Sequence, residues 1–230
     1  MTSRFHRILN RMALFTALIA VGLILCWGQF MKIATSNIWL NGVIIGTTLF
    51  GIGLCFVQMF RLLPEYKWAR AFYRGNKNAP LPPCLLRPVA YILRRGGRVP
   101  VSTLGTLLDM IVMRMEDSRE SVRYITNTLV FLGLLGTFWG LIVTVGGFAE
   151  LIGGLNFDDE TVLNAMQTGL AQPLAGMSTA FTSSLMGLAG SLTVGFLGLQ
   201  LQMAQNTIFN ELEDYLASRT RVPATDEQQI

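Results

Sequence analysis

Charged side chains are scarce in this sequence. Only 14% of its 230 residues are Asp, Glu, Lys or Arg, whereas about a quarter of an average soluble domain is charged. Four stretches contain no Asp, Glu, Lys, Arg or His, and about 20 apolar residues suffice for a helix to cross a bilayer core. The sequence therefore predicts an all-α membrane protein with four transmembrane helices and excludes a soluble enzyme. The stretches have 20, 28, 26 and 50 residues and comprise residues 12–31, 33–60, 124–149 and 161–210.

Residues that serve catalytic and metal sites are equally few. His6 is the only histidine, and Cys26, Cys55 and Cys84 show no paired spacing, so the sequence predicts neither a disulfide framework nor a metal site. No carboxylate pair, glycine-rich phosphate loop or nucleophile–histidine arrangement is present. We expect no enzymatic activity and no cofactor.

The basic residues are distributed unevenly along the chain. Residues 61–123 carry twelve basic and five acidic side chains, whereas residues 150–160 carry four acidic ones and no basic one. Loops rich in Lys and Arg stay in the cytoplasm, so the pattern predicts four spans with both termini in the cytoplasm. We expect the basic loop to meet the lipid bilayer, whose headgroups attract such segments, and no nucleic acid.

The uncharged stretches divide the chain into four regions. We predict that the first region, 1–60, contains transmembrane helices at 12–31 and 38–60, and that the second, 61–123, is a cytoplasmic helical region. The third region, 124–210, is predicted to contain transmembrane helices at 124–150 and 166–198, and the fourth, 211–230, is predicted to be a cytoplasmic tail.

The cytoplasmic region is predicted to hold two short helices and the start of a long one. Pro64 is expected in the turn after the second span. Short helices are predicted at 65–75 and 84–95, with a proline-rich loop between them. From Ser102 onward apolar residues recur every three or four positions, so one helix is expected to continue into the third span. The 50 uncharged residues at the fourth span would measure about 75 Å as a helix, far more than a bilayer core of about 30 Å, so that span is also expected to extend into the cytoplasm.

Small and hydroxylated residues form one face of the third span. Their spacing of three and four places them in a column along a helix. Small residues let the backbones of neighbouring membrane helices approach closely, so tight packing is the simplest interpretation. The column comprises Gly133, Gly136, Thr137, Gly140, Thr144 and Gly147.

The fourth span is rich in polar residues. Unpaired polar groups are costly in hydrocarbon, so this many must face protein or water. A hydroxyl that bonds to a carbonyl of its own helix accounts for one or two of them. We interpret this face as lining a polar path or contacting another helix. No ionisable side chain lies inside any span, so a proton relay lacks its acid in this chain. The residues are Thr168, Gln172, Ser178, Thr179, Thr182, Ser183, Ser184, Ser191 and Thr193.

The third span contains Gly133-Leu134-Leu135-Gly136-Thr137-Phe138-Trp139-Gly140-Leu141, and the fourth contains Gly176-Met177-Ser178-Thr179-Ala180-Phe181-Thr182-Ser183-Ser184-Leu185-Met186-Gly187-Leu188. These two strings resemble the paired motifs of the MotA/TolQ/ExbB proton-channel family. The first string is specific and the second is looser, and together they place the resemblance over residues 100–210. Four spans with both ends inside look like the MotA branch, whereas the Gly-Thr string looks more like TolQ and ExbB.

The resemblance implies a homopentameric ring around two copies of a single-span partner similar to MotB, TolR or ExbD. That partner carries a membrane Asp and a periplasmic domain anchored to the envelope, and so supplies the missing acid. Protonation and release of the Asp would rotate the ring against the central helices and convert ion-motive force into work in the bacterial inner (cytoplasmic) membrane. The transported ion would be a proton by default, since sodium needs several oxygen ligands at one point.

Site residues follow from the resemblance by position. Thr137 matches the family's polar residue on the third span, and Ser184 stands where the family usually has Thr on the fourth. Two positions depart from the pattern: Val130 replaces a frequent Pro, and Thr179 replaces the acidic residue of TolQ and ExbB. Pro173 either opens the helix near its outer mouth or simply starts the span. The implied ion pathway is Thr137, Ser184, Thr182, Ser183 and Thr179, and the implied packing or pore-lining residues are Gly133, Gly136, Gly140, Thr144, Pro173 and Gly187.

Two other functions compete with an ion-driven motor. One is a passive membrane scaffold, in which the small-residue face only packs a partner helix. The other is a solute permease, which is the least favoured because the chain shows no internal repeat.

Overall fold

Helices make up almost all of the described chain. The computed structural model describes residues 2–73, 86–87, 90–91, 101–154 and 169–219. Within those ranges no strand occurs, so the all-α prediction is confirmed there. The helices are α1 (Thr2–Leu25), α2 (Trp27–Ser36), α3 (Ile38–Tyr73), α4 (Val101–Gly154) and α5 (Ala171–Arg219).

Four of these helices are long and apolar enough to cross a membrane. Large apolar side chains such as Phe50, Phe131 and Phe138 are exposed on them. Water tolerates such surfaces poorly, whereas lipid or other membrane helices cover them. The prediction of a membrane protein with four transmembrane helices is confirmed by length and composition. The segments are His6–Leu25, Ile38–Ala71, Gly105–Gly154 and Ala171–Leu216.

The first predicted span, 12–31, differs from the observed helix. Helix α1 begins at Thr2 and ends at Leu25, and Cys26 leaves helical geometry with φ −97° and ψ 18° before α2 begins. Apolar composition is continuous through this point, so it gives no sign of a local change in backbone dihedrals.

Helix α3 passes through Pro64 without ending. The sequence predicted a turn there and a separate helix at 65–75, but α3 runs from Ile38 to Tyr73 with the proline inside it. A proline inside a helix costs about 3 kcal/mol. Buried side chains on both sides of it, such as Leu62 and Tyr66, provide packing that offsets this cost, and packing is not visible in local sequence.

The two long helices agree with the sequence. Helix α4 has 54 residues and no break between the predicted cytoplasmic segment and the third span, and α5 has 49 residues. Of the predicted helix 84–95, the structure describes Leu86, Arg87, Ala90 and Tyr91, and the Ala90 N–H donates to the Leu86 carbonyl at 2.8 Å. The loop 76–83 and the tail from residue 220 lie outside the described residues.

The chain divides into two compact units. The span unit consists of Asn10–Cys55 and Val122–Gly198, and it contains most of each predicted span. Its core is formed by residues of α3, α4 and α5 such as Ile44, Leu129 and Val194. Helix α1 joins this core through the Phe15 ring, whose centroid lies 4.0 Å from that of Phe196.

The loop unit consists of Met1–Leu9, Phe56–Ser121 and Leu199–Ile230. This unit includes the start of the chain, most of the basic loop and the end of α5. Inside it the Glu65 carboxylate, only 1% exposed, accepts the Leu86 N–H at 3.1 Å. This bond attaches Leu86 to α3.

Candidate functional site

The glycine column of the third span packs against α5 of the same chain. A Cβ added at Gly187 would lie 2.6 Å from the Gly133 Cα, and one added at Gly140 would lie 2.6 Å from the Gly176 carbonyl oxygen. Real Cβ contacts are not this short, so the two backbones approach as closely as glycine permits. Residue numbers rise along α4 as they fall along α5, so the pair is antiparallel.

Thr144 and Pro173 connect α4 to α5 in the first turn of α5. The Thr144 hydroxyl, which is buried, donates to the Gly140 carbonyl at 2.8 Å and lies 3.3 Å from the Pro173 carbonyl. Pro173 is the third residue of α5. A proline costs little there because the first N–H groups of a helix have no intrahelical partner. Of the two interpretations of Pro173, its position favours the start of the span.

Thr137 and Ser184 both lie next to the contact that Gly133 makes between α4 and α5. A Cβ at Gly133 would be 3.3 Å from the Ser184 carbonyl oxygen and 3.5 Å from its Cα. Thr137 follows Gly133 by one helical turn on the same face. The Thr137 hydroxyl donates to the Leu134 carbonyl at 2.6 Å. Ser184 is half-buried, and among the described residues its hydroxyl has no hydrogen-bond partner.

Thr179 and Thr182 are directed elsewhere. Successive helix positions differ by about 100°, so Thr182 points away from the α4-facing Ala180 by roughly half a turn. Its hydroxyl donates to the Ser178 carbonyl at 2.8 Å, and that of Thr179 donates to the Ala175 carbonyl at 3.0 Å. The implied ion pathway is therefore split over different sides of α5.

Ser183 faces a third direction, toward α3. Both Ser183 and Asn41 are fully buried, and the Ser183 hydroxyl donates to Asn41 Oδ1 at 2.9 Å. The sequence analysis did not single out Asn41. An amide inside a predicted span is a signal for such a contact, because polar side chains in membranes bond across helices.

Further close contacts join α3 to the pair. A Cβ at Gly51 would lie 2.8 Å from a methyl of Val194 and 3.0 Å from one of Ile125, and Gly190 lies directly against Thr48. These contacts and the Ser183–Asn41 bond place α3 against the side of α5 that carries Ser183 and Gly190.

In the described ranges no group of three or more His, Cys, Asp or Glu side chains is placed to hold a metal ion. No family model, no curated protein and no solved structure matches this chain. The likeness to the MotA/TolQ/ExbB family therefore rests on the two sequence strings alone.

Proposed function

We propose that this chain is the ion-conducting subunit of a motor in the bacterial inner membrane, and that the ion is a proton. Five copies would surround two copies of a single-span partner with a membrane Asp and an envelope-binding periplasmic domain. Proton flow past that Asp would rotate ring and partner against each other. The observation that carries the proposal is that Thr137 and Ser184 both lie next to the Gly133 contact of α4 with α5, with the Ser184 hydroxyl unbonded in the described part of the chain.

The packing around this pair supports a role that needs fixed geometry. Glycine contacts at Gly133 and Gly140 hold α4 and α5 at one separation, so the hydroxyls keep their positions without further support. The uncharged run 124–149 offers no acid of its own. A titratable group for proton transfer must then come from another chain.

The composition of the loop unit supports the proposed topology. The start of the chain, the basic segment Phe56–Ser121 and the end of α5 belong to one compact unit. Basic loops remain in the cytoplasm, and segments that share a compact unit with such a loop are on its side of the membrane. We therefore propose that both ends of the chain lie in the cytoplasm.

A passive scaffold is the second candidate, and one observation favours it. The hydroxyls of Thr137, Thr179 and Thr182 each donate to a carbonyl of their own helix, so these side chains need neither water nor an ion. In that case α4 and α5 would only hold a partner helix.

Ion flux separates the two functions. The full-length chain, co-expressed with the product of its neighbouring gene, is reconstituted in vesicles that contain a pH-sensitive dye. If protons pass this pair, Thr137→Val and Ser184→Ala each slow proton uptake by about tenfold or more, equivalent to about 1.4 kcal/mol on the barrier, without changing assembly. Thr193→Val is the matched control, since Thr193 also lies on α5 and donates to a carbonyl of its own helix.

The assembly is checked on the same preparation. Cryo-EM should show five subunits, with Thr137 and Ser184 lining a central passage that two partner helices fill. Unchanged uptake in both variants, or a dimer with these hydroxyls buried against each other, would refute the motor and leave the scaffold.

A further inference from the structure

Arg119 in the loop unit is held by neutral amides. Its Nε–H donates to Gln205 Oε1 at 3.0 Å, and an Nη2–H donates to Asn206 Oδ1 at 2.5 Å. Among the described residues the carboxylate that reaches it belongs to Glu116, at 3.5 Å from Nη1. Glu116 is 68% exposed and lies three residues earlier on the same helix, so water and salt screen this pair and it contributes little.

The amides that hold Arg119 are themselves fixed. Gln205 is 4% exposed, and its Nε2 donates to Ser118 Oγ at 3.3 Å. The Ser118 hydroxyl in turn donates to Gln58 Oε1 at 2.8 Å. The chain of bonds joins α3, α4 and α5, so the guanidinium is positioned before any ligand arrives.

This arrangement leaves the positive charge of Arg119 only weakly compensated, because the exposed Glu116 is the one carboxylate that reaches it among the described residues. A guanidinium has five N–H groups, and three are used by the bonds described above. The Arg119 side chain is 24% exposed, so it has lost much of its hydration but remains accessible. Amide oxygens accept hydrogen bonds without neutralising the charge. Because the guanidinium is poorly hydrated, binding of an anion to it is favourable.

The position of Arg119 along the chain identifies the anion. Arg119 lies five positions before the start of the uncharged run at residue 124, and Gln58 lies two positions before the end of the run 33–60. At 1.5 Å per residue these residues are within about 8 Å of the hydrocarbon edge. Lipid phosphates occupy that zone, and basic side chains at the cytoplasmic leaflet interact with them.

We propose that Arg119 is a binding site for the phosphate of an anionic phospholipid in the cytoplasmic leaflet. The planar fork of arginine fits phosphate oxygens with two parallel hydrogen bonds. Gln205 and Asn206 orient the fork, and Glu116 competes weakly for it. Lipid binding at this site does not require ion conduction, so the lipid-binding experiment and the proton-uptake experiment can fail independently.

The test is lipid binding to the purified full-length chain in a mild detergent. Phosphatidylglycerol is titrated in and the lipid-bound fraction is read by native mass spectrometry, with phosphatidylcholine and inorganic phosphate in parallel arms. We expect Arg119→Gln to weaken phosphatidylglycerol binding about tenfold, because a hydrogen bond to a charged group is lost. Arg61→Gln is the matched control: Arg61 is exposed, also lies at the end of an uncharged run and has no side-chain partner in the described part, so binding should stay within about twofold.

Two further variants keep the test decisive if Arg119→Gln does not fold. Glu116→Gln removes the exposed competitor and should tighten phosphatidylglycerol binding, by about twofold. Arg119→Lys keeps the charge but loses the fork, and should bind more weakly than the unmodified chain. Size-exclusion profiles and melting temperatures verify the fold of each variant.

Three results would overturn the proposal. Equal losses in Arg119→Gln and Arg61→Gln would mean diffuse attraction to lipid and no defined site. Equal binding of phosphatidylcholine would mean that the anionic headgroup is not recognised. Displacement of phosphatidylglycerol by millimolar inorganic phosphate would assign the site to a free anion.

Discussion

The close approach of α4 and α5 makes Gly140→Ala an informative substitution. The added Cβ would lie 2.5 Å from the Ala180 nitrogen and 2.6 Å from the Gly176 oxygen. Carbon contacts are normally about 3.5–4.0 Å, so the helices must separate by about 1 Å at this point. Overpacking costs about 1–3 kcal/mol, and we expect the upper part of that range because backbone atoms cannot rotate out of the way.

Gly146→Ala provides the matched control. Gly146 lies on the same helix six residues later, and a Cβ there would meet nothing within 4 Å. Both substitutions gain the same helix propensity, about 0.5–1 kcal/mol. Their difference therefore isolates the steric cost, which we expect to be about 2–3 kcal/mol.

The assay is reversible unfolding of the full-length chain in mixed micelles. Far-UV circular dichroism follows helix loss as the fraction of denaturing detergent rises, and tryptophan fluorescence follows tertiary structure. The Gly140→Ala midpoint should lie well below that of Gly146→Ala, with the starting chain between them. Coincident midpoints for the two variants would refute the close contact and mean that the glycine column serves a different neighbour.

Two other substitutions test contacts of this structure. Ser183→Ala removes the hydroxyl that bonds to Asn41 and should destabilise the span unit by about 1 kcal/mol. Ser178→Ala, at an exposed position, is the control and should have little effect. A fully additive double-mutant cycle of Ser183→Ala with Asn41→Leu would contradict the bond. Glu65→Gln replaces a charged acceptor by a neutral one, so amide hydrogen exchange at Leu86 should accelerate by about fivefold, the equivalent of about 1 kcal/mol. Exposed Glu213→Gln should leave that rate unchanged, and equal exchange in both variants would argue against attachment of Leu86 by Glu65.

The sequence by itself determined the architecture at the level of helices. Runs without charge define the four candidate spans, because removal of a charged side chain from water is too costly for lipid-facing positions. The continuous apolar periodicity after Ser102 predicted that α4 extends beyond the third span. Spacing alone also placed Gly133, Gly136 and Gly140 on one face, since helical geometry fixes angular positions on a single helix.

The tertiary structure decided which neighbour each face meets. The run Thr182–Ser184 looks uniform in sequence, yet Ser183 is buried against Asn41 while Thr182 bonds to its own helix and Ser184 has no partner in the described ranges. Adjacent positions on a helix differ by about 100°, and only the placement of α3 and α4 around α5 determines which of them is enclosed. The same holds for Pro64, where packing on both sides keeps α3 continuous although the local sequence favours a break.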